Sequence, residues 1–349
     1  MTAPHPTVLD FPVHAPPPPG EVVEIAPSVL WLRMPLPFAL DHINLWLLPE
    51  DGGFTLVDCG YGDTPTRALW ERHFVEAMGG RPLRQVVATH YHPDHLGNGA
   101  WLTARFRCPI AMTQAEFLTA HAVYGQSATH ALADTCALFR LHGMSVEHVA
   151  ALEGRGNHYR RGVPDVPAAF QRMIDGDLIG AGRYRWGVVP GFGHSPEHAA
   201  LHAADAGVLI SGDMLLPRIT TNVAVWPAEP DGDPLARFLR SLDAFEALPP
   251  DTLVLPSHGL PFRGIPLRIA QLRAHHAARL AELEAAVADA AAPQAAVDVI
   301  PVLFRRPLDL QQRFFAMGEA IAHLNHLWHA GRLERRVAAD GAIRFALVK

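Results

Sequence analysis

The apolar positions of this chain change period several times, and the changes mark its elements. VVEIAPSVLWLRMP and HINLWLLPEDGGFTLVDCG carry Val, Leu, Ile and Trp in short runs, which predicts strands, with Asp51-Gly52-Gly53 as a hairpin turn. TPTRALWERHFVEAMGG predicts a helix capped by Thr64, with Pro65 in its first turn and Gly79-Gly80 at its end. The strand LRQVVATH, the helical HLGNGAWLTARF and the strand PIAMT follow, a succession that suggests a sheet with helices packed on it.

Residues 114–175 have a helical period in QAEFLTAHAVYG, ATHALADTCALFRLHG and SVEHVAALEG, then a loop, RGNHYRRGVPDVP. This region is expected to be a helical insertion. Strands return at 183–190, 200–203, 208–211 and 253–256, and PRITTNVAVWPAEPDGDP is too rich in proline for a helix. PLARFLRSLDAFEAL then reads as a helix. Beyond residue 262 the texture turns helical, and Asp340-Gly341 sits between two alternating strands as a hairpin signal. The expected organisation is a proline-rich flexible arm over 1–20, a main domain over 21–262 and a helical, winged-helix-like domain over 263–349.

The 349 residues suffice for a large domain plus a smaller one, and a net charge of -6 argues against a protein built mainly to hold nucleic acid. Cys59, Cys108 and Cys136 are far apart and form no C-x-x-C pair, which fits reduced thiols in a cytoplasmic protein. The N-terminal stretch lacks the pattern of a signal peptide, and no apolar run has the length of a membrane span.

The chemistry concentrates in Thr89–Gly97, THYHPDHLG. A helix would send residues two apart in different directions, and Pro93 would break its interior. An extended segment points His90 and His92 the same way, and Pro93 then opens a helix that carries Asp94 and His95 at its N-terminus. Imidazole nitrogen and carboxylate oxygen are ligands of zinc and similar divalent metals. Three later apolar strands end on further ligand types: VVPGFGH on His194, VLISGD on Asp213 and LVLPSH on His258. Ligands beyond the strand ends of an α/β sheet are where sites are expected.

In that order the residues resemble the signature H-x-H-x-D-H, His, Asp, His of the metallo-β-lactamase superfamily. The resemblance runs from about residue 21 to 262. It implies an α/β fold, an αββα sandwich with a metal pair at one edge and a glyoxalase II-like metal site. By the family pattern His90, His92 and His194 hold the first metal, and Asp94, His95 and His258 hold the second. Asp213 bridges the two, and Asp58, in LVDCG, orients a ligand imidazole. The implied cofactors are two divalent ions, zinc first, with iron and manganese as alternatives.

Departures from the pattern narrow the activity. The lactam-cleaving relatives often have Cys where Asp213 stands, and the di-iron electron-transfer relatives usually have Glu at His92. Glyoxalase II carries C-G-H-E-Y around its last metal histidine, where this chain has Leu255-Pro256-Ser257-His258-Gly259. The expected activity is hydrolysis of a carboxylic thioester, ester or lactone, a small-molecule acyl substrate, by a metal-bridging hydroxide. Asp94 and Asp213 are its candidate catalytic carboxylates. Arg155, Arg160 and Arg161, in the loop of the insertion, are candidates for gripping an acidic tail. The alternative is a phosphodiesterase or endoribonuclease of the same fold, since residues 301–349 hold eight Lys or Arg against four Asp or Glu.

Overall fold

Ala200 and Leu201, Leu209 and Ile210, and Val254 and Leu255 are neighbours along three adjacent strands, yet each pair enters two different cores. Successive strand residues point to opposite faces, so the sheet that carries them is buried on both sides. This explains why those strands read as unbroken apolar runs.

The computed structural model describes residues 8–348. Its first sheet has seven strands in chain order: β1 (Val23–Ala26), β2 (Val29–Pro35), β3 (His42–Glu50), β4 (Gly53–Val57), β5 (Leu83–Val87), β6 (Ile110–Thr113) and β7 (Gln171–Met173). The second has five, β8 (Leu178–Ala181), β9 (Tyr184–Gly191), β10 (His198–Ala203), β11 (Val208–Gly212) and β12 (Leu253–Pro256), with β12 and β8 at its edges. The β3–β4 pair closes at the expected turn, Glu50 opposite Gly53.

One core, which includes Trp31, Leu45, Val86, Trp186, Leu201 and Ile210, joins the two sheets and continues onto the other face of the first. The helices α1 (Thr64–Glu76), α2 (Pro93–Leu96) and α3 (Gly99–Phe106) follow strands of the first sheet, and Trp70, Phe74 and Leu102 join that core from them. Helices α4 (Gln114–Gly125), α5 (Leu132–Leu141), α6 (Val146–Glu153) and α7 (Tyr159–Gly162) make up the insertion, and α8 (Pro234–Glu246) precedes β12. The C-terminal segment folds as α9 (Ile265–Asp289), α10 (Ala296–Leu303), α11 (Leu310–His329) and the antiparallel hairpin β13 (Leu333–Val337) and β14 (Ile343–Leu347). These helices do not enclose a core of their own. Ile269, Leu272, Met317 and Ile321 share one cluster with Phe139 and Val149 of the insertion and with Leu209 and Val254 of the second sheet. The result is a mixed α/β sandwich, helices outside two facing sheets.

Several local expectations need correction. Asp63, not Thr64, caps α1: its carboxylate accepts from Thr66 N–H at 2.9 Å. The run HLGNGAWLTARF is two helices, because Asn98 leaves the helical path and donates to the carbonyls of Cys59, Gly60 and Tyr61. The insertion is not wholly helical: β7, near its end, pairs in parallel with β6 and extends the first sheet. Residues 1–7 of the expected arm lie outside the described residues. Residues 8–20 are not a free arm, since Leu9 is buried and Asp10 exchanges backbone hydrogen bonds with Arg263 at 3.3 and 2.8 Å. No helix among the described residues is long and apolar enough to cross a membrane.

His142 ends α5 fully buried, stacks on Phe345 and has no partner for either ring nitrogen among the described residues. Burial pushes its pKa from 6.5 down to about 3. The unfolded chain therefore takes up this proton first as the pH falls. The stability is complete above pH 6.5 and declines below it, until the folded-state pKa of about 3 is reached. His142→Phe should flatten the stability profile by about one proton in that interval without loss of stability at pH 8. Denaturant titrations at a series of pH values measure this, and an unchanged slope would refute it.

Candidate metal centre

Four strand ends deliver the site. After β5 the chain is not extended as expected but bends through residues 89–92, with His92 at φ -59° and ψ 152°, and Pro93 then starts α2 with Asp94 and His95 in its single turn. His194 follows β9, Asp213 follows β11 and His258 follows β12. Gly212 makes the turn to Asp213 at φ +53°, and a Cβ there would stand 2.2 Å from His198 Nε2. Only glycine fits that approach.

The seven side chains expected to act together converge in two groups that could each hold a metal ion. In the first, His90 Nε2 lies 2.8 Å from His92 Nδ1 and 3.2 Å from His194 Nε2, and His194 Nε2 lies 3.3 Å from Asp213 Oδ2. In the second, Asp94 Oδ2 is 3.6 Å from His95 Nε2 and 3.4 Å from His258 Nε2. The other oxygen of Asp213, Oδ1, stands 3.5 Å from both of those nitrogens. Ligand atoms of a tetrahedral centre with bonds of roughly 2.0–2.2 Å lie about 3.4 Å apart.

The donor set fits divalent cations on its own chemistry. His95 Nε2 and Asp213 Oδ1 are buried and have no hydrogen-bond partner among the described residues. The far nitrogens, in contrast, are taken. His194 Nδ1 donates to Asn222 O at 2.7 Å and His258 Nδ1 to His42 O at 2.8 Å. These bonds fix the tautomers and aim the Nε2 lone pairs inward.

Asp58 holds His95 in the same way, with Oδ2 2.8 Å from Nδ1. Its backbone sits at φ +61°, a strained setting for a residue other than glycine. Thr89 anchors it: the Thr89 N–H donates to Asp58 Oδ1 at 2.8 Å, and the Thr89 hydroxyl lies 3.0 Å from both carboxylate oxygens. Burial and the imidazoles of His95 and His92 hold His90 well below its ordinary pKa, and burial with His194 brings His92 to about 3. Both rings therefore stay neutral, as ligands must. His95 goes the other way. Burial opposes its charge, but the carboxylates of Asp58, Asp94 and Asp213 raise its pKa well above the usual value.

Sequence reasoning missed two residues. Glu116 of α4 is fully buried, and its carboxylate accepts from Tyr91 N–H at 2.9 Å, Ser195 Oγ at 2.6 Å and Glu197 N–H at 2.7 Å. It thus ties the loop of His90 and His92 to the loop of His194. His198, buried at the start of β10, lies with its Nε2 3.2 Å from the Asp213 N–H and its ring 4.9 Å from that of His90. Nothing in the local sequence separates either from an ordinary helix glutamate or strand histidine.

Two facing sheets with a His and Asp cluster across the strand ends define a class of metal-dependent hydrolases. The family model described as metallo-β-lactamase superfamily matches residues 39–258, which contain all seven converging side chains, and the chain belongs to this superfamily. A model described as metallo-β-lactamase-like, C-terminal domain, matches residues 280–348. A probable metallo-hydrolase of Bacillus subtilis, YqjP, is 26% identical over 307 residues, covering 86% of this chain and 92% of that protein. The crystal structure of a β-lactamase domain protein from Burkholderia ambifaria superposes with a TM-score of 0.89 at 47% identity, over 97% of this chain and 98% of the other. The crystal structure of a metallo-β-lactamase family protein from Thermus thermophilus gives 0.78 at 28% identity, over 93% and 100%.

Removing the carboxylate behind His95 should weaken metal binding without unfolding the site. Asp58→Ala is expected to lower affinity by roughly 10–100-fold, and Asp58→Asn, which tolerates the positive φ, by less. Competitive chelator titration reads both, and wild-type affinity in the Ala variant would refute the orienting role.

Proposed function

We propose that the chain is a two-metal hydrolase acting on a carboxylic thioester, ester or lactone. The observation that carries the reading is the division of Asp213, whose Oδ2 faces His194 while Oδ1 faces His95 and His258. One carboxylate divided in this way suits two adjacent ions held by His90, His92 and His194 on one side and by Asp94, His95 and His258 on the other. Nitrogen and oxygen donors at tetrahedral spacing suit zinc, and iron or manganese accept the same set. When bound, such a pair supplies water activated near neutral pH and Lewis-acid polarisation of a carbonyl oxygen.

The chain's own groups supply the rest. Asp94 keeps 18% of its side chain exposed, so it can take a proton at its carboxylate and pass it to solvent. Asp213, more deeply set, holds the two ligand groups in register. A thiolate or alkoxide leaves without a large cationic cradle. The three arginines of the insertion are not equivalent. Arg160 lies over the Tyr124 ring at 4.1 Å and donates to Tyr124 O. Arg155 is bonded to Gln311, and Arg161 donates to Arg155 O at 3.3 Å. Arg161 precedes Gly162, whose carbonyl accepts from Gly62 N–H at 2.8 Å, and its charge, like that of Arg155, acts on Tyr61, as does that of Asp94.

The nucleic-acid alternative draws little support from the C-terminal charges. Arg305, Arg332, Arg335, Arg336 and Arg344 are all paired with carboxylates. A helix and hairpin laced by such pairs offers few free cations to a phosphate backbone.

Thiol release from a panel of acyl thioesters, by metal-loaded protein, tests the proposal. Turnover should fall to the blank rate in Asp94→Ala and on chelation, and should return to the wild-type protein on adding back zinc. Inert thioesters, esters and lactones beside cleaved phosphodiesters would overturn it.

A further inference from the structure

The stretch from Leu216 to Asp233 contains no helix or strand, yet it follows Asp213 and supplies Asn222 O, the acceptor that orients His194. Polar side chains of the C-terminal helices hold it in place. Arg268 of α9, itself buried, donates to Leu216 O at 2.6 Å and to Ile219 O at 2.7 Å. Asn325 of α11 donates to Pro230 O and Gly232 O, both at 3.0 Å. Val225 N–H donates to Gly318 O at 3.0 Å, an approach that needs glycine, because a Cβ there would stand 2.8 Å from Ala224 Cβ. Next to Gly318, Glu319 accepts from Asn222 Nδ2 at 2.9 Å through Oε2.

Asn222 is therefore gripped at both ends. Its side chain is fixed by α11, and its backbone carbonyl is fixed on the ring of His194. We propose that Glu319 is a positioning residue for His194, through Asn222, and so for the ion held by His90, His92 and His194. The inference rests on the two-metal reading above, but not on the identity of the substrate. Burial raises the Glu319 carboxyl to about 7, and Oε2 can accept from Asn222 whether or not the other oxygen carries a proton. A glutamine at this position keeps the acceptor.

Cobalt(II) titration of the metal-free protein, followed by visible absorption, tests the relay. Wild-type protein should bind two ions. Glu319→Ala should weaken one of the two binding steps by roughly tenfold and leave the other unchanged, and Glu319→Gln should restore both. Asn222→Ala should weaken the same step, and the double variant should be no worse than either single one, as for two residues in one chain of contacts. Thermal melts of the metal-free variants establish that they fold. If Glu319→Ala does not fold, Asn222→Ala and Glu319→Gln carry the test through the same single step. Two wild-type steps in the folded Ala variants, or equal weakening of both steps, would overturn the assignment. A wild-type protein that binds no second ion would remove this inference together with the two-metal reading. Two bound ions with every acyl substrate inert would remove only the substrate class.

Discussion

Five imidazoles and two carboxylates converge on one small volume, and two of their buried facing atoms, His95 Nε2 and Asp213 Oδ1, have no hydrogen-bond partner among the described residues. Ring nitrogens without an intervening proton repel, and buried carboxylate oxygens without donors are costly. A divalent cation held between them would remove the conflict. Much of the surrounding fold serves to keep these atoms crowded in its absence. Strand ends bring the residues together, and hydrogen bonds on the far side of three of the rings stop them from turning away. Thr89 and Asp58 do this for His95, Asn222 for His194 and the backbone at His42 for His258.

Such crowding needs a stiff frame. The two sheets supply it, because the second is buried on both faces and its strands end within reach of β5. Asn44 adds a polar stitch across the sandwich, with Nδ2 donating to Pro256 O and Gly259 O at 2.8 Å each and Oδ1 accepting from Trp31 Nε1 at 2.9 Å. Those carbonyls flank His258, so the same amide that joins the sheets also steadies a ligand loop. Glu116 plays a comparable part between the loops of His90 and His194. Framework and site are therefore held by shared residues.

Much of this was legible in the sequence because ligand chemistry and strand pattern coincide. Pro93 in THYHPDHLG marks where the helix starts, although the residues before it bend rather than extend, and each later candidate ligand stands at the end of an apolar run. The hairpins at Asp51-Gly52 and Asp340-Gly341 follow from turn chemistry alone. What escaped the reading depends on partners distant in the chain. Leu9 and Asp10 looked like a loose arm, since proline-rich segments carry no sign of what they dock on. The strand Gln171–Met173 is three residues long and polar, and only its edge position beside β6 makes it a strand. Glu116 and Glu319 carry no mark in the sequence that separates them from other helix glutamates. Their importance arises from backbone N–H groups and an amide that the fold brings to them.

The grip of α9 and α11 on the Leu216–Asp233 stretch has a consequence for the order in which the molecule is made. Every ligand lies within the first 258 residues, but the residue that secures the acceptor of His194 is number 319. A nascent chain leaving the ribosome can thus gather the whole ligand set well before the scaffold around it is closed. Asp94, His95 and His258 make no hydrogen bond to α9 or α11 among the described residues. The hydrogen bond that secures Asn222 behind His194 can form only once α11 has been made.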